Sequence, residues 1–297
     1  MRRKTRSVKD LIRHSIATTI ACVIVLGVPL LSIRQFWHPH SAPKRDASPL
    51  PTLQVRSVDK TNTKPKLFKQ PLISVTFDDG YASSYQDAFP ILQRNGIATT
   101  QYVLSGVEDN ALYLSWDQIR AIQQAGHEIG CHSAHHYDLT VIPDAQLKEE
   151  LSGCKATMEK EIGRPVTAFA SPYGAENAKT LTAINKVFAS QRNVYGDPSN
   201  GVSDQDVNVA TTFNVHDITG MTVKGSTSLA EIQQLIDFTI EHNGWLVLTY
   251  HQADDYPSKY ALDKTKLEAQ MKLLKDSPVR IVTVHQALSG FKAGSER

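Results

Sequence analysis

Residues 71–297 predict an α/β fold in which parallel strands are flanked by helices. Short apolar, β-branched runs alternate with segments of helical period. The alternation continues for about 220 residues, enough for one α/β domain of barrel size. The chemistry-bearing residues follow directly on apolar runs, at the C-terminal strand ends where α/β folds build their sites.

The elements follow in order. Residues 72–77 are apolar and β-branched, a buried strand. Residues 85–94 carry Ala88, Ile91 and Leu92 at helical spacing, and Asn95-Gly96 stops them. Residues 98–104 read as the next strand. Ser115 opens a helix, Gln118 completes its capping box and Gly126 ends it. Residues 127–132 form a strand. Asp144 opens a long helix to residue 162, with Leu147, Leu151 and Met158 on one face. A strand at 166–170 and a helix at 177–188 follow, then a strand at 207–215 after a loop rich in Gly, Asp and Asn. Ser228 and Glu231 form another capping box, opening a helix to His242. A strand at 245–250, a helix at 263–275 and a strand at 280–284 complete the series.

Two segments carry the chemistry. Asp78-Asp79-Gly80 follows the first strand, and His132-Ser133-Ala134-His135-His136 follows the third. One carboxylate and two imidazoles make a three-ligand divalent metal site with positions open to water. The second carboxylate is then free to take a proton from that water, so the pattern points to metal-assisted hydrolysis. Alone, Asp-Gly would be a turn with solvated aspartates. The histidines supply the partners that reading lacks. His135 competes locally with His132 and His136, and spacing by itself does not exclude it.

These segments resemble the first two motifs of the polysaccharide deacetylase family (NodB-homology domains, carbohydrate esterase family 4). Phe169-Ala170-Ser171-Pro172-Tyr173-Gly174 resembles the third motif, and the apolar run 245–250 ending in His251 the last. The resemblance spans roughly residues 71 to 290 in the family's order. It implies an irregular (β/α) barrel and a role for each matching residue. Asp78 would be the catalytic base, and Asp79, His132 and His136 the metal ligands. Tyr173 would offer its backbone N–H to an oxyanion, and His251 would be the general acid. Zinc is the default ion, with cobalt, nickel or manganese as alternatives. The implied reaction removes N-acetyl groups from N-acetylglucosamine residues of an extracellular polysaccharide such as peptidoglycan, poly-N-acetylglucosamine or chitin. Acetyl-ester hydrolysis on a polysaccharide and non-catalytic carbohydrate binding at the cell surface are the alternatives.

Two positions depart from the family pattern. Ala170 stands where the third motif often carries an arginine that holds the catalytic aspartate, so Asp78 is expected to lack a charge partner. No Asp-x-x-Asp-Trp motif is present to tune His251. His127, His216 and His285 read as structural. Cys131 precedes His132, and strand alternation turns it away from the site. It reads as a buried apolar cysteine that could pair with Cys154 only if the fold brings the two together.

The first 70 residues set the expected location. Residues 1–13 hold six positive charges against one negative, a basic cytoplasmic tail. Residues 14–33 are free of Asp, Glu, Lys and Arg, and long enough for a single-pass transmembrane anchor. A cleaved signal peptide, giving a secreted form, competes with this reading, but no Ala-x-Ala site follows. Residues 34–70, with five prolines and eight positive charges against two negative, read as a flexible linker. The chain is +2 as a whole; +5 on the tail and +6 on the linker leave −9 for residues 71–297. An acidic domain argues against nucleic acid as partner. The expected partners are an acetylated polysaccharide and, through the N-terminal helix, the membrane.

Overall fold

The computed structural model describes residues 68–107, 110–196 and 201–295. The expected tail and anchor, and residues 34–67 of the expected linker, lie outside the described residues. No helix among the described residues is long and apolar enough to cross a membrane.

Eight parallel strands order the domain: β1 (Leu72–Phe77), β2 (Thr100–Val103), β3 (Glu128–Cys131), β4 (Ala168–Ala170), β5 (Ser190–Gly196), β6 (Ile218–Thr222), β7 (Trp245–Tyr250) and β8 (Arg280–Ile281). β1 to β7 pair in sequence, and β7 returns to β1 over six register pairs from Leu72↔Trp245 to Phe77↔Tyr250. The ring is therefore a seven-stranded parallel barrel, closed where β1 meets both β7 and β2. β7 fills one edge of β1, so β8 and β2 share the other. β8 pairs with Leu72 and Ile73, and β2 with Thr76 and Phe77. β1 and β2 thus splay apart at their N-terminal ends, and β8 is wedged between them. This is the irregularity of the barrel.

The helices lie outside. α1 (Phe89–Asn95) continues a π-helical turn at Ser84–Ala88, and α2 (Trp116–Gln124) starts on the Ser115–Gln118 capping box. α3 is one continuous helix over 144–162, π-wound at Glu149–Gly153. α4 (Ala178–Asn185), α5 (Leu229–His242, capped by Ser228 and Glu231), α6 (Lys264–Asp276) and α7 (Val284–Ser295) complete the layer.

Strand parity sorts the side chains. Ile73, Val75 and Phe77 on β1, with Leu246, Leu248 and Tyr250 on β7, face outward into one core with α5 and α6. Ile129, Cys131 and Phe169 face outward into a second core with α2 and α3. Ser74 and Thr76 turn inward, where they bond Trp245 Nε1 and Thr249. The interior is narrow. A Cβ on Gly130 would come 2.6 Å from the Tyr102 ring, so glycine is needed there. The inward parity continues past the strand ends to Asp78, His132 and His251, and this aims them at the barrel mouth.

One expected strand is absent among the described residues, and two that were not expected take its place. Residues 207–215 do not form a strand. Val207 and Val209 are buried against β7, and Asn208 makes an isolated bridge to Trp245, which mimics strand alternation. The ladder instead uses β5 and β6. β5 escaped notice because its buried residues are polar on both faces. Arg192 points inward, while Gln191 and Asn193 bond Glu176.

Candidate metal and catalytic centre

The centre begins where β1 ends. Asp78 N–H donates to Tyr250 O at 2.9 Å, the last rung of the β1–β7 ladder. Asp79 (φ 68°) and Gly80 (φ 73°) then turn through the left-handed region. This reversal lets two adjacent carboxylates address one centre. Gly80 is also sterically required, because a Cβ there would sit 2.7 Å from Val103 Cγ1.

The histidines arrive on the loop after β3. Asp79 Oδ1 lies 3.3 Å from His132 Nε2 and 3.2 Å from His136 Nε2. The three ligand atoms lie within 4.8 Å of one another. Asp79 Oδ1 is buried and has no hydrogen-bond partner, so neither imidazole satisfies it directly. A buried carboxylate oxygen facing two imidazole nitrogens without hydrogen-bond geometry is the donor set a divalent ion fits. His132 Nδ1 donates to Ala170 O at 2.8 Å, which leaves the Nε2 lone pair for an ion. His135 takes no part: its Nδ1 lies 2.7 Å from Glu150 Oε1 and its ring abuts Gly106.

Asp78 does not lack a charge partner. Arg192 Nη2 donates to both of its oxygens, at 2.5 and 2.6 Å, with Arg192 0% and Asp78 3% exposed. The expectation drawn from Ala170 is corrected by the sheet. Ala170 and Arg192 are register partners on β4 and β5, so the guanidinium enters from the next strand. It also lies 4.9 Å over the Tyr102 ring. Sequence reasoning missed Arg192 because it missed β5. The available signal was the empty arginine position itself, which directs attention to basic residues on neighbouring strands.

His251 follows β7 with its ring stacked on Tyr260 at 4.9 Å, and its buried Nδ1 has no hydrogen-bond partner among the described residues. Tyr173 lies in the turn Pro172–Gly174 at φ 60°, its ring 4.4 Å from that of His136. His127 is remote from these groups. It is buried against Thr99, which donates its N–H to Nδ1 at 3.1 Å.

The electrostatics follow from burial and neighbours. Burial raises the Asp79 carboxyl, but the charge of His136 and the contacts of both imidazoles outweigh it and hold it well below the usual carboxylate range. Burial lowers His132, yet the charge of Asp78 and the contact with Asp79 bring it above its ordinary value. Burial pushes His251 down, opposed in part by Asp79 and Asp78.

Residues 66–189 match the family model described as polysaccharide deacetylase. The segment that holds β1 to β4 is similar to polysaccharide deacetylases. The chain is 27% identical over 154 residues to YxkH of Bacillus subtilis (strain 168), a protein provisionally named polysaccharide deacetylase; the match covers 52% of this chain and 55% of that one. It is 29% identical over 120 residues to the chitooligosaccharide deacetylase of Azorhizobium caulinodans, covering 40% of this chain and 55% of that one. The chain thus spans about half the length of these curated relatives. Among solved structures, the Xyl-CE4 domain of a multidomain xylanase from the hindgut metagenome of Trinervitermes trinervoides superposes with a TM-score of 0.52 at 19% identity, covering 76% of this chain and 92% of that one. That likeness is one of fold. Residues 190–282, beyond the family match, add β5 to β8 and supply Arg192 and His251.

Proposed function

We propose that the domain is a metal-dependent hydrolase that removes N-acetyl groups from N-acetylglucosamine residues of an extracellular polysaccharide. The observation that carries this reading is the juxtaposition of a buried Asp78–Arg192 pair with the Asp79, His132 and His136 cluster. Two carboxylates in one mouth are held in different ways, one by a guanidinium and one facing two imidazoles, which suits them to different tasks.

A divalent ion, zinc by default, held by Asp79, His132 and His136 would polarise the acetyl carbonyl and acidify a water. Asp78 takes the proton from that water. Arg192 fixes the carboxylate so that an oxygen faces the water rather than rotating away. The Tyr173 N–H donates to the oxyanion. His251 protonates the departing nitrogen, so the amide bond breaks to acetate and a free amine.

Five exposed apolar side chains support an extended saccharide as substrate. Leu112 follows β2, Tyr137 and Val141 follow β3, Tyr173 follows β4 and Tyr256 follows β7. All lie on loops leaving C-terminal strand ends, the face that carries the centre. The names of relatives, among them chitin deacetylase and peptidoglycan-N-acetylmuramic acid deacetylase, support an N-acetylated glycan. A bifunctional xylanase/deacetylase among them keeps acetyl-ester hydrolysis as the second reading, with the same groups in the same roles. An extracellular domain on an N-terminal membrane anchor remains part of the proposal, and the Cys131–Cys154 disulfide supports an oxidising compartment.

The test is acetate release by the full chain from N-acetylglucosamine oligomers, peptidoglycan and acetyl-xylan. Chelation should abolish release, added zinc or cobalt should restore it, and Asp78→Asn should remove it while ion binding persists. A chain that binds the ion and releases acetate from none of these is a carbohydrate-binding relative instead.

A further inference from the structure

The turn that presents His132 and His136 is held only in part by its own residues. Ser133 and His136 both have positive φ, 73° and 61°, a conformation residues with a Cβ adopt only when their surroundings impose it. Three consecutive N–H groups of the turn point at side-chain oxygens. His136 N–H donates to Ser133 Oγ at 2.9 Å. Ala134 N–H and His135 N–H both donate to Glu150 Oε2, at 3.0 and 2.8 Å. The other oxygen, Oε1, takes His135 Nδ1 at 2.7 Å. Glu150 is 1% exposed and lies on the π-wound stretch of α3. One turn further along the same helix, Cys154 is bonded to Cys131, the residue before His132.

Glu150 therefore spends both carboxylate oxygens on the metal-ligand turn. A buried carboxylate with three donors is expensive to replace and geometrically exacting. Among the described residues, its hydrogen bonds go to neither Asp79 nor either candidate ligand ring. Its contacts instead set the path of the backbone between the two ligands and turn His135 out of the site.

We propose that Glu150 is a positioning residue for the metal: its carboxylate shapes the 132–136 turn so that His132 and His136 converge on Asp79, and its capture of His135 decides which histidines serve as ligands. This rests on the proposed metal site. The outer partners of metal ligands commonly carry a tenfold to hundredfold share of ion affinity, roughly, when removed.

The experiment uses the full chain, stripped of metal and titrated with zinc against a chromogenic chelator and with cobalt by its visible absorption. Wild type is compared with Glu150→Gln, Glu150→Asp, the exposed neighbour Glu149→Gln, and His136→Ala, with melting temperatures taken on the metal-free proteins. Glu150→Gln should weaken zinc binding about 10- to 100-fold and alter the cobalt spectrum. Glu149→Gln should change neither, and His136→Ala should lose the site. If Glu150→Gln lowers the metal-free melting temperature but keeps wild-type affinity and spectrum, the residue is structural and the proposal is overturned while the ligand set stands. Failure of both Glu150 variants to fold overturns it likewise. A wild-type chain that binds neither ion overturns the metal reading and this inference with it.

Discussion

Arg192 faces Ala170 across the β4–β5 ladder and from there grips both carboxylate oxygens of Asp78 through one nitrogen. A cation on either strand can reach the same carboxylate because the barrel interior is narrow at this level. The position of a residue in the chain and the position of its charge in the site are therefore separable.

That pairing predicts graded losses. Asp78→Asn should lower kcat by about 10²–10⁴-fold, the range of general base catalysis, with ion affinity retained. Arg192→Lys keeps the charge but replaces a rigid, planar guanidinium with a compact ammonium on a flexible stem, so it should lower kcat by less at a nearly unchanged KM. Arg192→Met strands a buried carboxylate and should cost about 3–5 kcal/mol of stability. Steady-state kinetics and denaturant melts of these variants separate the effects. Full activity in Arg192→Met would remove the arginine from the mechanism.

The buried His127 predicts an acid-sensitive fold. Burial lowers it from 6.5 to about 4. The unfolded chain thus binds a proton that the folded chain refuses between those values. The contribution is complete above pH 6.5 and is lost as pH falls toward 4, with a total on the order of 3 kcal/mol. Denaturant melts from pH 7 to 4 should show this loss, and His127→Gln should flatten that part of the curve. An unchanged slope in the variant would assign the acid sensitivity elsewhere.

The disulfide predicts redox-dependent stability. Cys131 and Cys154 are 23 residues apart, both fully buried, with Cα atoms 6.5 Å apart. Closing a loop of this size is worth about 3 kcal/mol by chain entropy. Cys154→Ala should lower the melting temperature, and reductant should lower that of the wild type but not of the variant. Equal melting temperatures with and without reductant in the wild type would exclude a stabilising bond.

The exposed rim predicts a length-dependent KM. Tyr256 is 57% exposed on the loop after β7. Tyr256→Ala should raise KM for long oligomers several-fold, about 1 kcal/mol of lost contact, with kcat unchanged. A fall in kcat alone would place Tyr256 in the chemistry rather than the groove.

What the sequence disclosed depended on burial pattern. Residues 72–77 and 245–250 coincide with β1 and β7 because both are strands whose surroundings bury every residue, and apolar runs announce this. The capping boxes at Ser115 and Ser228 marked helix starts because their hydrogen bonds are local. β5 was hidden because the barrel stores a cation inside it and a polar network outside it, so hydrophobic periodicity is silent there. Asp78, Asp79, His132 and His136 were legible through short motifs. Arg192 and Glu150 were not, since each acts across more than a dozen residues of chain on a partner that only the fold brings near.

β1 is the first strand of the domain to be made and the last to be satisfied. Its partner β7 lies some 170 residues downstream, and Ser74 donates to Val282 O across 208 residues. A chain synthesised from its N-terminus must therefore keep its stickiest strand unpaired on one edge until nearly everything else has emerged. Contacts of such separation make folding slow, and they make closure an event of the finished chain. Under the proposed extracellular location, the late closure works in the chain's favour: the barrel cannot lock before the C-terminal strands have come through.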